Sequence, residues 1–183
     1  MVRNNLGIKS NIMAKLKSLQ TDIRVNANRE KIWEVLFNQF SEINIYHPGT
    51  TDSRLTKGKN GEIGCQRVCQ FGSKMSITEN VVETIPIEKL AIDANGFPGV
   101  KDIMATFNLR PLGVESTEVA ITFRYRTIPA ILAMFMSRSM KKNLHQVLVG
   151  LKFYVETGRQ LEKENFKSIY SKFLDIDAGK AFA

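Results

Sequence analysis

The last third of the chain carries the most regular apolar pattern. Between residues 129 and 161, apolar side chains recur at three- and four-residue steps, which places them on one face of a helix: Met140, Leu144, Val147, Leu148, Leu151, Tyr154 and Val155. The basic residues of this stretch are predicted to turn away from that face: Arg138, Lys141, Lys142 and Lys152. Because proline is accepted in a first helical turn and glycine commonly ends a helix, Pro129 and Gly158 bound a helix of about 28 residues, or about 42 Å.

Most of the preceding chain alternates polar and apolar residues, which is typical of strands. The pattern predicts strands at 22–26, 51–55, 62–71, 74–83, 90–94, 103–112 and 116–127. Two short helices are predicted between the first two strands, at 29–38 and 40–45, with Asn28 as the N-cap of the first.

The order of these elements predicts an α+β fold. Consecutive strands joined by short turns form an antiparallel meander, and the first strand must join one edge of that sheet. About seven strands at roughly 4.8 Å spacing make a curved sheet about 30 Å wide, which suits the length of the helix. We therefore expect the long helix to lie in the concave face of the sheet, with a gap between them as the candidate site.

The chain divides into one predicted domain, 20–161, and two extensions. Residues 1–19 are predicted to be a basic tail or a short helix, and their apolar residues leave open a weak amphipathic helix at a membrane surface. Residues 162–183 carry a second amphipathic helical stripe: Phe166, Ile169, Tyr170, Phe173 and Leu174. We expect that stripe to dock on the body or on a second copy, so a homodimer through this extension is open.

The charge of the chain raises the question of nucleic acid or anionic lipid. The 26 Lys and Arg against 18 Asp and Glu give a net charge of +8. Half of the excess lies in the first 21 residues and the rest is interleaved with acids, so no specific nucleic acid partner is expected. No apolar run reaches the roughly 18 residues of a membrane span, and the N-terminus lacks the apolar block of a secretory signal. A cytoplasmic location is expected.

The cysteines do not suggest a disulfide or a metal site. Cys65 and Cys69 share a predicted strand and lie about 13 Å apart, too far for a mutual disulfide. Two cysteines and two histidines at unrelated spacings are too few for a zinc site, and neither cysteine has a base nearby in sequence. No metal or other cofactor is predicted.

Several short motifs occur in a recognisable order. They are Trp33, the Tyr46-His47-Pro48-Gly49 turn, Gly64-Cys65-Gln66-Arg67, Glu79, the segment from Phe107 to Pro111, and the long helix. Over residues 20–160 the chain resembles the START-like, helix-grip superfamily (SRPBCC), in its polyketide cyclase/dehydrase-like branch. One departure is Tyr46, where members often carry tryptophan. The resemblance implies a deep apolar pocket between helix and sheet for lipids, sterols or polyketide-like aromatics, in a fold that hosts both catalysts and carriers.

Two charged residues fall among apolar neighbours on adjacent predicted strands. Arg67 alternates with Cys65 and Cys69, and Glu79 alternates with Ile77 and Val81. Two interpretations are open for the charged pair. Arg67 and Glu79 could form a structural cross-strand pair, or Arg67 could anchor a ligand carbonyl or carboxylate while Glu79 orients it.

His47 and Phe97 also have two interpretations each. His47 could bond to the loop backbone, or it could move protons together with Tyr46 or Tyr125 while Arg67 stabilises an enolate. Phe97 in the 96–99 loop could gate the pocket or cap the core. His145 is expected at a solvated or half-buried position. The methionines are predicted to be flexible pocket lining or ordinary core.

Together these residues make up the predicted ligand-binding set: Tyr46, His47, Cys65, Arg67, Cys69, Ile77, Glu79, Phe97, Met104, Phe107, Phe123, Tyr125, Met136, Met140, Leu144 and Leu148. The sequence favours binding of a small hydrophobic or amphipathic molecule in the cavity. The alternatives are a cyclase or dehydratase that uses His47, Tyr46 and Arg67, and an interaction module whose tails bind a membrane surface or a protein.

Overall fold

The computed structural model describes residues 16–129 and 131–177, without the side chains of 132–134 and 175–177. The strands are β1 Lys17–Val25, β2 Asp52–Lys57, β3 Gln66–Phe71, β4 Met75–Ile85, β5 Lys89–Asn95, β6 Val100–Gly113 and β7 Ser116–Thr127. The helices are α1 Arg29–Trp33, a π-helical turn Glu34–Asn38, a 3₁₀ helix Phe40–Ile45, α2 Leu132–Thr157 and α3 Lys163–Asp177.

The strands form a single antiparallel sheet. Its order is β1-β7-β6-β5-β4-β3-β2, a six-stranded meander of β2 to β7 with β1 added as the seventh strand at the β7 edge, which confirms the predicted fold. β1 is longer than predicted, because it pairs with β7 from Lys17, opposite Tyr125, to Val25, opposite Thr117. The body of the protein therefore begins inside the segment that the sequence had assigned to the tail. The rest of that tail, 1–15, lies outside the described residues.

The long helix ends where its sequence indicated. Gly158 adopts a left-handed conformation with φ of 69°, and its N–H donates to the Tyr154 carbonyl over 2.7 Å. The inward residues Leu148, Leu151 and Val155 are buried in the core that α2 shares with the sheet. Apolar spacing and a glycine stop thus account for the helix and for the face that it buries.

Lys152 was predicted to turn away from the apolar stripe of α2, and the structure shows that it is nevertheless buried. Lys152 is only 8% exposed, because the end of β1 and α3 cover this face of α2. The Lys152 ammonium donates to the Arg24 carbonyl over 2.7 Å and to Glu156 over 2.6 Å, and it lies 5.5 Å from the centre of the Phe173 ring. The buried charge is therefore paired and hydrogen-bonded.

The short helices bring the 46–49 turn against α2. Asn28 caps α1 as predicted, since its side chain accepts a hydrogen bond from the Lys31 N–H over 3.0 Å. Further on, α2 passes so close to this region that a Cβ on Gly150 would lie 2.0 Å from the Tyr46 carbonyl oxygen. Glycine at position 150 is what lets the helix pack on the turn.

The C-terminal extension docks on its own body. In α3, Phe166, Ile169, Tyr170 and Phe173 pack against the core, and the Tyr170 hydroxyl lies 3.2 Å from Nδ1 of His145. His145 is half-buried there. A homodimer through this extension stays a prediction.

Other features of the described residues concern cysteines, metals and membranes. Cys65 and Cys69 are both buried and free. Within 16–129 and 131–177, no group of three or more His, Cys, Asp or Glu side chains is placed to hold a metal ion. None of the helices in the same ranges is both long and apolar enough to span a membrane.

Candidate functional site: a cavity between the sheet and α2

A cavity of about 430 Å³ lies between the concave face of the sheet and α2. The sheet contributes mostly apolar side chains to its wall: Phe71, Met75, Ile92, Ala105, Phe107, Ile121 and Phe123, together with Arg67 and Glu79. α2 contributes Met140, Asn143, Leu144, Gln146 and Val147. The remaining wall comes from Ile43, His47, Pro48, Gly49, Phe97 and Phe166. The volume lies within the range of about 300–1,000 Å³ that is typical of small-molecule sites.

Half of the predicted ligand-binding residues line this cavity: His47, Arg67, Glu79, Phe97, Phe107, Phe123, Met140 and Leu144. Others lie in the core next to it. Tyr46, Cys65, Cys69 and Leu148 belong to the main core, and Ile77, Tyr125 and Met136 pack with Val100 and Ile103 in a second cluster. They support the wall without forming it.

Met104 lies on the wrong side of the sheet for the predicted role. Its neighbour Ala105 lines the cavity, and successive side chains of a strand point to opposite faces. Met104 therefore faces outward, opposite Asp93 and Arg124 on the adjacent strands. Met104 and Phe107 are three positions apart, so a regular strand could not place both in the cavity.

Arg67 and Glu79 form the predicted cross-strand pair. They are directly opposite in the β3–β4 register, and both Nε and Nη2 of Arg67 lie 2.6 Å from Oε2 of Glu79. Arg67 is 3% exposed, donates a further hydrogen bond to the Phe40 carbonyl, and lies 3.9 Å above the Phe40 ring. The cross-strand contact is thus confirmed, and the same pair also borders the cavity.

The charge of Arg67 is maintained by its neighbours. Burial lowers the pKa of Arg67, but the Glu79 carboxylate, followed by Cys69 and Tyr46, outweighs burial and raises the pKa above its ordinary value. The Cys69 thiol lies 3.5 Å from the same Glu79 oxygen. Burial and then Glu79 raise the pKa of Cys69 to about 12, so this thiol is protonated and is a poor nucleophile.

His47 is held by the backbone of its own turn. Its Nδ1 accepts hydrogen bonds from the N–H groups of Gly49, over 3.0 Å, and Thr50, over 3.2 Å, which places the proton of the neutral ring on Nε2. The ring packs edge-on against Phe71, with 5.3 Å between centroids. Burial lowers the pKa of His47 from 6.5 to about 4, so the imidazole is neutral at pH 7.

Neither tyrosine proposed as a proton carrier reaches the cavity. Tyr46 is buried in the main core, where burial raises its pKa to about 12 against the opposing effect of Arg67. Tyr125 is fully buried, and its hydroxyl lies 3.1 Å from the hydroxyl of Ser137 on α2. Both side chains anchor the fold around the site.

Several cavity residues were missed by the sequence reasoning. Phe71 and Met75 continue the same inward alternations as Cys69 and Ile77, so a signal for them existed. Asn143 and Gln146 border the apolar stripe of α2, where the boundary of the buried face cannot be drawn from periodicity. Phe166 belongs to α3, and only the docking of that helix brings it to the cavity.

A curved antiparallel sheet that encloses a long helix, with a cavity between them, defines the helix-grip class of ligand-binding folds. Residues 17–156 match the family described as polyketide cyclase / dehydrase and lipid transport, and the chain belongs to that family. The match ends within α2, so α3 lies beyond it. A comparison with curated proteins found no match.

Solved structures with the same fold come from bacteria and plants. A protein from Thermobifida fusca, solved by NMR, has a TM-score of 0.66 at 19% identity over 79% of this chain and 97% of its own. The Zhui aromatase/cyclase from Streptomyces sp. R1128 has a TM-score of 0.62 at 16% identity over 78% and 94%. Truncated norcoclaurine synthase from Thalictrum flavum has a TM-score of 0.61 at 14% identity over 80% and 97%. At such identities the likeness shows the fold alone.

Proposed function

We propose that the protein binds one small hydrophobic or amphipathic molecule in the cavity between α2 and the sheet. The observation that carries this proposal is the 430 Å³ of space bordered mainly by apolar side chains, with a few polar groups among them. Burial of apolar ligand surface there supplies affinity at about 25 cal/mol per Å². The polar groups would fix the orientation of the ligand.

The charged pair indicates what kind of polar group the ligand carries. Arg67 and Glu79 compensate each other, so the described lining of the cavity offers no unpaired charge for an ionic ligand group to neutralise. A ligand hydroxyl can instead donate or accept hydrogen bonds beside the pair, and a ligand carbonyl oxygen can accept them, with His47, Asn143 and Gln146 as further partners. We therefore favour a neutral ligand, such as a lipid alcohol or a phenolic aromatic, over a carboxylate.

A cyclase or dehydratase in the same cavity is the second candidate. It is favoured by the placement of His47, Arg67 and Glu79 around one space, and the family and the aromatase/cyclase neighbour support it as a class. Two observations weigh against it. A histidine pKa of about 4 makes His47 a weak base, and Tyr46 and Tyr125 do not line the cavity.

The test is uptake of a ligand by the purified protein. Native mass spectrometry would detect a co-purified molecule, and titration with a fluorescent fatty alcohol and the matching fatty acid would compare neutral with anionic ligands. Leu144→Trp and Met140→Trp place an indole in the cavity and should abolish uptake. Val114→Trp, at a highly exposed position away from the cavity, is the control and should bind like the wild type. Unchanged uptake by both cavity variants would contradict the proposal.

A further inference from the structure

Large apolar side chains are exposed at one end of the molecule. Ile128 is 54% exposed, Ile131 61% and Phe135 71%, and all three lie within eight positions, from the end of β7 to the first turns of α2. The Ile128 N–H donates to the Gly99 carbonyl over 2.9 Å, which places this segment beside the 96–99 loop. Single exposed apolar residues are ordinary, but a group at one tip indicates an interaction surface.

Basic side chains follow on the same face of the helix. Arg138 and Lys142 lie three and seven positions after Phe135, so they continue its line along α2, and Lys141 is their exposed neighbour. The α2 sequence contains no acidic residue before Glu156, near its far end. We call Ile128, Ile131, Phe135, Arg138 and Lys142 the α2 tip.

The strands next to the α2 tip do not cancel this charge. Asp102 is the acid at the start of β6, and it is paired with Arg126 over 3.4 Å. Lys101, opposite Arg126 in the β6–β7 register, is exposed as well. The described residues of this end therefore present a net positive charge around the exposed apolar group.

We propose that the α2 tip docks on the surface of an anionic membrane. At 1.5 Å per residue, Ile131 and Phe135 span about 6 Å of the helix end, and Arg138 and Lys142 lie about 5 and 10 Å behind Phe135. The apolar and charged layers of a membrane interface follow the same order, because acyl chains lie beneath the anionic headgroups. Interfacial helices bury their apolar side chains to a depth of about 5–10 Å. The flat face of an acidic protein has no such layering, so the order of apolar and basic residues favours lipid.

Docking of the α2 tip is independent of what the cavity holds. Phe97, which lines the cavity, lies in the loop that is bonded to Ile128. A docked protein would therefore bring one wall of its cavity close to the lipid. The binding of vesicles can nevertheless be measured on protein with an empty or a blocked cavity, and Leu144→Trp should leave it unchanged.

The test is cosedimentation of the full chain with vesicles. Wild-type protein should bind phosphatidylcholine vesicles that contain phosphatidylserine, bind pure phosphatidylcholine weakly, and dissociate as salt is raised. The double variant Arg138→Glu/Lys142→Glu should lose at least about tenfold in affinity for the anionic vesicles. Ile131→Ser/Phe135→Ser should also weaken binding, and because these side chains are exposed, the fold should be retained.

Lys163→Glu/Lys167→Glu is the matched charge control. It makes the same change in net charge at the same four-residue spacing, on exposed positions of α3, and should bind like the wild type. The proposal is overturned if the wild type does not bind anionic vesicles, or if both tip variants bind like the wild type, which would assign binding to residues 1–15. An equal loss in the α3 control overturns it too. Binding to polyglutamate under conditions where the protein does not bind the vesicles would also overturn the proposal, since the partner of the α2 tip would then be an acidic protein.

Discussion

Arg67 on β3 and Glu79 on β4 form an ion pair across the two strands. Nε and Nη2 of Arg67 each lie 2.6 Å from Oε2 of Glu79. The pair borders the cavity while Arg67 is almost fully buried. Its two charges stabilise each other only as long as both are present. The same contact therefore links the stability of the sheet to the polarity of the candidate site.

Removal of one member of the Arg67–Glu79 pair should strongly destabilise the folded protein. Arg67→Ala leaves the Glu79 carboxylate without its partner in a mostly buried position, and the free energy of unfolding should fall by about 3–5 kcal/mol. Arg67→Met/Glu79→Gln should cost less, because neither charge remains. Arg110→Ala, which breaks an exposed pair with Glu118, is the control and should leave the free energy of unfolding, measured with urea, almost unchanged. Equal losses for Arg67→Ala and Arg110→Ala would contradict the buried-pair argument.

The stability of the protein should fall as the pH drops from about 6.5 to about 4. In this window the unfolded state binds a proton at His47, whereas the folded state, with its pKa lowered from 6.5 to about 4, does not. Proton binding therefore favours unfolding, by about 2 kcal/mol between pH 7 and pH 5.

His47→Asn isolates that effect. The asparagine can still accept hydrogen bonds from the turn backbone but does not titrate, so the stability difference from the wild type should change by about 2 kcal/mol between the two pH values. His47→Ala also loses the acceptor for Gly49 and Thr50 and should be less stable than His47→Asn at pH 7. A pH-independent difference between the wild type and His47→Asn would show that His47 titrates normally in the folded state.

Because α2 lies so close to the 46–49 turn, the addition of a single methyl group at Gly150 should lower the stability of the protein. Gly150→Ala would place Cβ 2.0 Å from the Tyr46 carbonyl oxygen, so the helix or the turn must move. Alanine is the better helix former by about 1 kcal/mol, yet overpacking should make the variant less stable by about 1–3 kcal/mol. Ser139→Ala, at an exposed position of α2, should be neutral or slightly stabilising in the same unfolding measurement. A stabilised Gly150→Ala protein would contradict the observed contact.

α3 is expected to have two separable roles, one in lining the cavity and one in stabilising the fold. Phe166 lines the cavity, whereas Phe173 packs on the core at Lys152 and does not. Phe166→Ala should weaken binding of the fluorescent alcohol by about tenfold, because the ligand loses an apolar contact. Phe173→Ala should lower the melting temperature and leave the affinity unchanged. The reverse pattern would place the ligand away from α3.

The local pattern of the sequence determined the elements of this protein and their order. Period-two alternation in Val119, Ile121 and Phe123 identified the face of β7 that the core buries, because strand side chains alternate strictly. Arg67 and Glu79 could be paired in advance, since each lay on the inward alternation of one of two consecutive strands. Gly158 marked the end of α2 through its own backbone preference.

Only the tertiary structure decided which surfaces cover one another. Lys152 lies off the apolar stripe of α2, and its burial depends on β1 and α3, which are more than a hundred residues apart along the chain. Phe166 reaches the cavity through the docking of α3, which its own periodicity does not specify. The cavity is the volume that remains between the concave face of the sheet and α2. Periodicity states which side chains share a face, but whether two faces fill the volume between them is set by the shapes of both.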